Sequence, residues 1–399
     1  MAEALSRKTI EIVKATVPAL EAKGEEITQR MYERLFRDAE IRALFNQSHH
    51  GETGSQTKAL ANAVLAYARN IETLGVLGST VERIAQKHVG LQILPEHYPY
   101  VADALLGAIG DVLGDAATDG VMAAWGEAYW ALANILMARE KVLYDDSAQM
   151  PGGWTGWRDF VVEDRKKESD VITSFLLRPA DGGPVAAHLP GQYLTFLIER
   201  PGEVSQRRNY SISTASNGEG YRISVKREPG GVVSGWLHDS AMPGTKLKVA
   251  PPAGEFVLPE KLSRPVVLLS GGVGLTPMVA MFETLAAHSS PTAIHYIHGA
   301  LDGSVHAMGE HVRELAEQTG AKVDIFYERP RPEDEGYEAT GQIPLDWLVE
   351  KTPTHEADYF ICGPKAFLKK FVTGLEMAGV AQDRIHYEYF GPADDLMAA

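Results

Sequence analysis

The 399-residue chain has a single cysteine, Cys362. It can therefore hold no internal disulfide and no cysteine-built zinc or iron–sulfur centre. One thiol and no paired cysteines fit a reducing cytoplasm. Positive charge is also short: 38 basic against 53 acidic side chains give a formal net charge of −15. The deficit runs through both halves, with 14 basic and 20 acidic residues in the first 150. Nucleic acid and anionic membranes are thereby excluded as expected partners. No run approaches the roughly 20 apolar residues that cross a bilayer. The start, Met1–Lys14, carries Glu3 and Glu11 and lacks the apolar core of a signal peptide. The expectation is a soluble, acidic, cytoplasmic protein acting as a monomer.

Helix breakers are scarce in one region only. The first 150 residues contain 3 of the 22 prolines and 11 of the 38 glycines. That predicts a helical first domain. Leu60, Val64, Leu65, Tyr67 and Ile71 recur at helical spacing, as do Val81, Ile84, Ala85 and His88, and Trp125, Tyr129, Leu132, Ile135 and Leu136. Pro95 and Pro99 mark a loop and a helix start. The stretch Gln149–Gly156 is a domain boundary. Beyond it come short β-rich runs: Val171–Leu177, Gln192–Ile198, Tyr210–Ser213, Tyr221–Lys226 and Lys246–Val249. These predict an antiparallel β-barrel or sandwich. From Pro265 strand-like runs alternate with helical segments, which predicts an α/β doubly wound parallel sheet. The expected domains are 1–150, 151–262 and 263–399.

Chemistry enters through glycine. Ser270-Gly271-Gly272-Val273-Gly274-Leu275-Thr276-Pro277 follows a buried strand and opens a helix. Glycines there let backbone N–H groups approach a pyrophosphate at a helix N-terminus. The final position, Pro277 rather than glycine, departs from the usual dinucleotide fingerprint. Cys362-Gly363-Pro364 ends another strand on the same sheet edge. In the β-rich region, Arg208-Asn209-Tyr210-Ser211 puts a phosphate-binding guanidinium and an aromatic ring on one strand face. Gly230-Gly231-Val232-Val233-Ser234 forms a second phosphate cradle, and Pro190-Gly191-Gln192-Tyr193 adds an aromatic at a strand start.

In this order the motifs resemble the ferredoxin–NADP reductase superfamily over residues 155–399. The resemblance implies FAD on Arg208, Tyr210 and Ser211, with Tyr193, Asn209, Gly231, Val233 and Ser234 around it. It implies NADH or NADPH on Gly272, Val273, Gly274, Leu275, Thr276 and Pro277, with Cys362, Gly363 and Pro364 opposite. The terminal segment Tyr387-Glu388-Tyr389-Phe390-Gly391-Pro392 resembles the one whose aromatic, here Phe390, stacks on the isoalloxazine. The stretch after the second strand, His298–Asp302, has no Arg or Lys cluster for a 2′-phosphate. That favours NADH.

The helical domain offers His49, His50, His88 and His97. His49 and His50 sit in a polar stretch expected to face solvent, whereas His88 shares an apolar face with Val81, Ile84 and Ala85. Imidazole is a common proximal haem ligand. Residues 1–150 resemble a bacterial globin through Tyr32, Leu44-Phe45-Asn46, Gln56, Leu60, Gln86-Lys87-His88, Tyr98, Trp125 and Arg139-Glu140. With the reductase behind it, the whole chain resembles flavohaemoglobin, the nitric oxide dioxygenase family.

That resemblance implies haem b on His88, with Tyr98 and Glu140 behind the ligand. It places Tyr32 and Gln56 on the distal side, Tyr32 donating a hydrogen bond to bound dioxygen. Phe45 would pack on the haem and Leu60 would restrict access, while Lys87 and Glu388 would tune redox potentials. The implied reaction passes electrons from NAD(P)H through FAD to haem and converts nitric oxide and dioxygen to nitrate. Two alternatives stand beside it: reduction of hydroperoxides or dioxygen at the same haem, and gas sensing. Sensing needs an output module, and this chain carries a reductase instead.

Overall fold

A computed structural model describes residues 5–44, 55–73, 75, 78–200, 204–288 and 292–391, with the side chains of 55–57 and 59 outside that description. The expectations for Phe45, His49, His50, the Gln56 side chain and Pro392 fall outside it. Two compact units form. The helical one takes in the first 149 residues and Leu197–Arg208; the other takes in Met150–Phe196 and Asn209–Gly391.

The helical unit contains α1 (Arg7–Ala15), α2 (Val17–Leu35), α3 (Ala39–Ala43), α4 (Ser55–Arg69), α5 (Gly78–Gly90), α6 (Tyr98–Leu113) and α7 (Asp119–Gln149). Helix starts follow local chemistry. The Ser6 hydroxyl accepts from Thr9 N at 3.1 Å, and Asp38 caps α3 by accepting from Glu40 N at 2.9 Å. Pro18 and Pro99 stand in the first turns of α2 and α6, where no amide partner is lost. The 31-residue α7 stops at Gln149, where Met150-Pro151-Gly152-Gly153 begins. The core gathers Leu20, Ile27, Met31, Tyr67, Leu105 and Trp125.

A six-stranded sheet follows, built from β1 (Arg158–Lys167), β2 (Ile172–Pro179), β3 (Tyr193–Ile198), β4 (Gln206–Ser211), β5 (Tyr221–Lys226) and β6 (Lys246–Val249), in the order β4-β3-β6-β1-β2-β5. β1 pairs antiparallel with β2 and β6, and β2 with β5. Strand β1 escaped the sequence reading because its exposed face is charged. Only Phe160 and Val162 point fully inward, beside exposed Asp159 and Glu163. Strand β4 also starts earlier than its apolar run suggested, because the half-buried Gln206, Arg207 and Arg208 carry the ladder.

After α8 (Val232–Ser240) comes a parallel sheet: β7 (Val266–Gly271), α9 (Leu275–Ala287), β8 (Ile294–Ala300), α10 (Gly309–Thr319), β9 (Lys322–Tyr327), β10 (Ala339–Thr340), α11 (Leu345–Lys351), β11 (Asp358–Cys362), α12 (Lys365–Met377) and β12 (Ile385–Glu388). Its order is β10-β9-β8-β7-β11-β12. All six residues of β7 are buried, as a central strand covered on both faces requires. The chain reverses direction across the sheet between β7 and β11. The loops after these two strands therefore flank the switch point where ligands bind in such sheets.

Candidate functional site

In the helical unit, three residues far apart in sequence converge. His88 is on α5, Tyr98 opens α6 and Glu140 lies on α7. His88 Nδ1 is 2.7 Å from Glu140 Oε1 and 3.2 Å from the Tyr98 hydroxyl. Tyr98 donates to the same Glu140 oxygen at 2.5 Å. Glu140 is 2% exposed, so an isolated carboxylate there would be costly. Burial, and after it the Glu140 carboxylate, push the Tyr98 pKa upward, so the phenol stays protonated and donates. The arrangement occupies Nδ1 and leaves Nε2 as the ring nitrogen available to a metal, as where a hydrogen bond on one nitrogen orients a metal-bound histidine. The neighbouring Arg139 turns away to Glu82, at 2.6 Å, so Glu140 belongs to the histidine.

Tyr32 is buried on α2, its ring centroid 5.3 Å from that of Phe36, and burial raises its pKa. Leu60, on α4, packs against the same core as Tyr32. Lys87 is half-buried, one residue before His88.

In the antiparallel sheet, Arg208 donates to the Arg207 carbonyl and to Gln206 Oε1, both at 2.8 Å. Asn209 Oδ1 accepts from Thr195 Oγ1 at 2.9 Å, which ties β4 to β3. Tyr210 stands edge-on to Phe196, with centroids 5.7 Å apart, and Ser211 is buried. Gly231 caps α8; a Cβ there would meet Ser234 Oγ at 2.4 Å. Ser234 Oγ accepts from Glu228 N at 3.2 Å and Val233 is buried, so this loop presents main chain.

In the parallel sheet, Gly272 has φ +56 and open space where a Cβ would be. Gly274 is its opposite: a Cβ there would sit 2.2 Å from the Cys362 carbonyl oxygen. Only glycine lets α9 dock against the end of β11. Thr276 Oγ1 donates to Val273 O at 3.1 Å, Leu275 is buried and Pro277 stands in the first turn of α9. Pro364 caps α12, and Gly363, like Gly271, packs against Phe367.

Glu388 is in register with Cys362. Burial, and next the Glu388 carboxylate, raise both the Tyr193 hydroxyl and the Cys362 thiol well above their ordinary values. The Tyr193 hydroxyl is buried without a hydrogen-bond partner among the described residues, as expected of a donor awaiting a ligand. Tyr389 lies over Gly391, and Phe390 is 46% exposed, a large aromatic left at the surface. The sequence reading missed Phe367, whose ring packs on both Gly271 and Gly363, and Glu283, which anchors α9. Neither carries a local motif; both act through contacts distant in sequence.

A histidine-bearing helical unit, an antiparallel sheet and a dinucleotide-type parallel sheet define an oxidoreductase of the globin–reductase class. Residues 29–136 match the globin family, 160–258 the oxidoreductase FAD-binding domain and 268–373 the oxidoreductase NAD-binding domain. A flavohemoprotein of Xylella fastidiosa is 50% identical over all of both chains. One from Rhizobium meliloti is 45% identical over 99% of this chain and 100% of its own. The crystal structure of a Malassezia yamatoensis flavohemoglobin with bound FAD and heme is 27% identical, with a TM-score of 0.87, over 98% of this chain and 100% of that one. The FAD/NAD-binding domain of a Vibrio cholerae nitric oxide dioxygenase is 38% identical, with a TM-score of 0.55, over 59% of this chain and 99% of its own. This chain belongs to the flavohaemoprotein family.

Proposed function

We propose that the protein oxidises nitric oxide to nitrate with dioxygen: two NO, two O2 and one NAD(P)H give two nitrate ions, one NAD(P)+ and one proton. Haem, FAD and the nicotinamide supply hydride transfer, its division into single electrons and dioxygen activation when bound. Their seats are proposed as residues 1–150, 151–262 and 263–399.

The residues suit these groups. His88 offers Nε2 to iron while Glu140 and Tyr98 hold Nδ1. The carboxylate would make the imidazole more basic and so a stronger donor to a bound iron. Tyr32 would supply a protonated hydroxyl there and Leu60 an apolar wall; Gln56 and Phe45 are assigned to the same pocket by the family resemblance alone. Arg208, Asn209, Tyr210, Ser211, Tyr193, Gly231, Val233 and Ser234 are assigned to FAD. Tyr389, Phe390, Gly391 and Pro392 are assigned to its exposed ring. Gly272 to Pro277 and Cys362 to Pro364 are assigned to the nicotinamide dinucleotide. Lys87 and Glu388 contribute charge that sets potentials. The expected setting is the cytoplasm, with gas substrates that diffuse in.

The observation that carries this reading is the 2.7 Å contact between His88 Nδ1 and Glu140 in a chain that also holds a reductase. Its test is NADH oxidation under nitric oxide and dioxygen with nitrate assayed; about two nitric oxide consumed per NADH supports it. The Tyr98–Glu140 pair also favours a second reading, reduction of hydroperoxides. NADH oxidation with peroxide and little with nitric oxide would establish that instead.

A further inference from the structure

His88 stands in the last turn of α5, so whatever fixes the end of that helix also fixes the histidine. The end is a Schellman stop built without glycine. Ile93 N donates to His88 O at 2.9 Å, and Gln92 N donates to Val89 O at 3.0 Å. Gln92, at the turning point, has φ +58, a left-handed conformation that glycine adopts freely and a side chain resists. It is buried, and its Nε2 adds a second bond to Val89 O at 2.7 Å. A strained backbone of this kind persists only where its surroundings hold it.

Two donors from distant parts of the chain do so. The Tyr144 hydroxyl, on α7, donates to Ile93 O at 2.8 Å. Arg207, at the start of β4 and 116 positions from Leu91, donates through Nη1 to Leu91 O. The segment Leu197–Arg208 belongs to the same compact unit as α5. Burial lowers the Arg207 pKa to about 10, so the half-buried guanidinium stays charged at neutral pH. Burial lowers the His97 pKa; Glu96 opposes the shift and the Arg207 charge reinforces it, which sets that charge beside the loop from α5 to α6. A cation there also meets the negative end of the α5 dipole. The Arg207 main chain is held in turn, because the Arg208 guanidinium donates to its carbonyl at 2.8 Å.

We propose that Arg207 is a positioning residue for the proximal histidine: its guanidinium locks the strained end of α5 and thereby sets the orientation in which His88 presents Nε2. This rests on the reading of His88 as the haem ligand. Glu140 and Tyr98 hold the imidazole ring, whereas Arg207 holds the main chain that carries it. Methionine at 207 keeps most of the bulk and gives up both charge and donor. Lysine keeps the charge and one donor.

The test uses the full chain loaded with haem and FAD. Two quantities are read: amide hydrogen exchange at Gln92 and Ile93, and the iron–histidine stretching band in the resonance Raman spectrum of the ferrous protein. Arg207→Met should speed exchange at both amides about tenfold and move the band to lower frequency. Arg207→Lys should recover most of both effects. A merely structural role would lower the melting temperature and leave the band in place. Unchanged exchange or an unmoved band in Arg207→Met overturns the inference, and so does a lysine variant as perturbed as the methionine one. Should Arg207→Met fail to load with haem and FAD, Arg207→Gln takes its place under the same criteria. Absence of the band from the wild type overturns the reading of His88 as the ligand and this inference with it; a band that is present and does not move overturns this inference alone.

Discussion

Glu283 on α9 and Arg222 on β5 form an ion pair at 2.7 Å, with the carboxylate largely shielded from water. Glu283 also accepts from Thr214 Oγ1 and Ala215 N, both at 2.7 Å, and from His311 Nε2 at 2.8 Å. One side chain thus fastens the helix behind the dinucleotide loop to the antiparallel sheet and to α10.

Burial would raise the Glu283 pKa, but the His311 hydrogen bond and the Arg222 charge outweigh it and bring it down to about 2. A carboxylate depressed in the folded state adds stability above its ordinary value of 4.5, and that stability drains away as pH falls toward 2. Glu283→Gln should therefore cost about 3 kcal/mol at pH 7 and flatten the acid limb of the profile. Urea denaturation at pH 7 and pH 3 checks both; equal stability of variant and wild type at pH 7 refutes the anchoring role.

Glu140→Gln keeps the shape beside His88 and removes the charge. The haem reduction potential should rise, because the imidazole becomes less basic, and turnover with nitric oxide should fall about 10- to 100-fold. Potentiometric titration of the haem reads the first effect separately from activity. Tyr98→Phe should move the potential less, since Glu140 stays on Nδ1.

His298 and His306 stack with centroids 4.8 Å apart, near Ser270 at the base of the dinucleotide loop. Burial lowers both pKa values, that of His306 to about 4 and that of His298 well below 6.5. The unfolded chain therefore takes up these protons first. Their contribution is complete above pH 6.5 and is lost as pH drops through that value toward 4. His306 alone predicts a loss of about 2 kcal/mol by pH 5. Thermal unfolding between pH 8 and pH 5 should show it, and His306→Gln should flatten the slope.

Gly274→Ala drives a methyl into the Cys362 carbonyl. Overpacking of that kind costs about 1–3 kcal/mol. It should shift α9 and weaken dinucleotide binding, while Gly272→Ala, with open space but φ +56, should be limited by backbone strain alone. Nucleotide titration of the two variants separates these causes.

The features legible in sequence were those with a local signature. Strand β5 (Tyr221–Lys226) and helix α10 stand where alternation and periodicity put them, and the Gly272–Gly274 loop joins strand to helix as its glycines require. His88 was legible as a histidine on an apolar face, though its pairing with Glu140, 52 positions on, came from family resemblance. The charged β1 and the Glu283 anchor were not legible. Each depends on which element folds against which, and no spacing rule reaches across the 61 residues between Arg222 and Glu283.

Cys362 is the chain's sole thiol, and it is fully buried with its thiolate form disfavoured. If the proposed reaction with nitric oxide and dioxygen is correct, the one atom most prone to nitrosation or oxidation is kept out of their reach while the fold holds. Its alkylation rate by a small maleimide is therefore a built-in clock for opening of the nucleotide lobe.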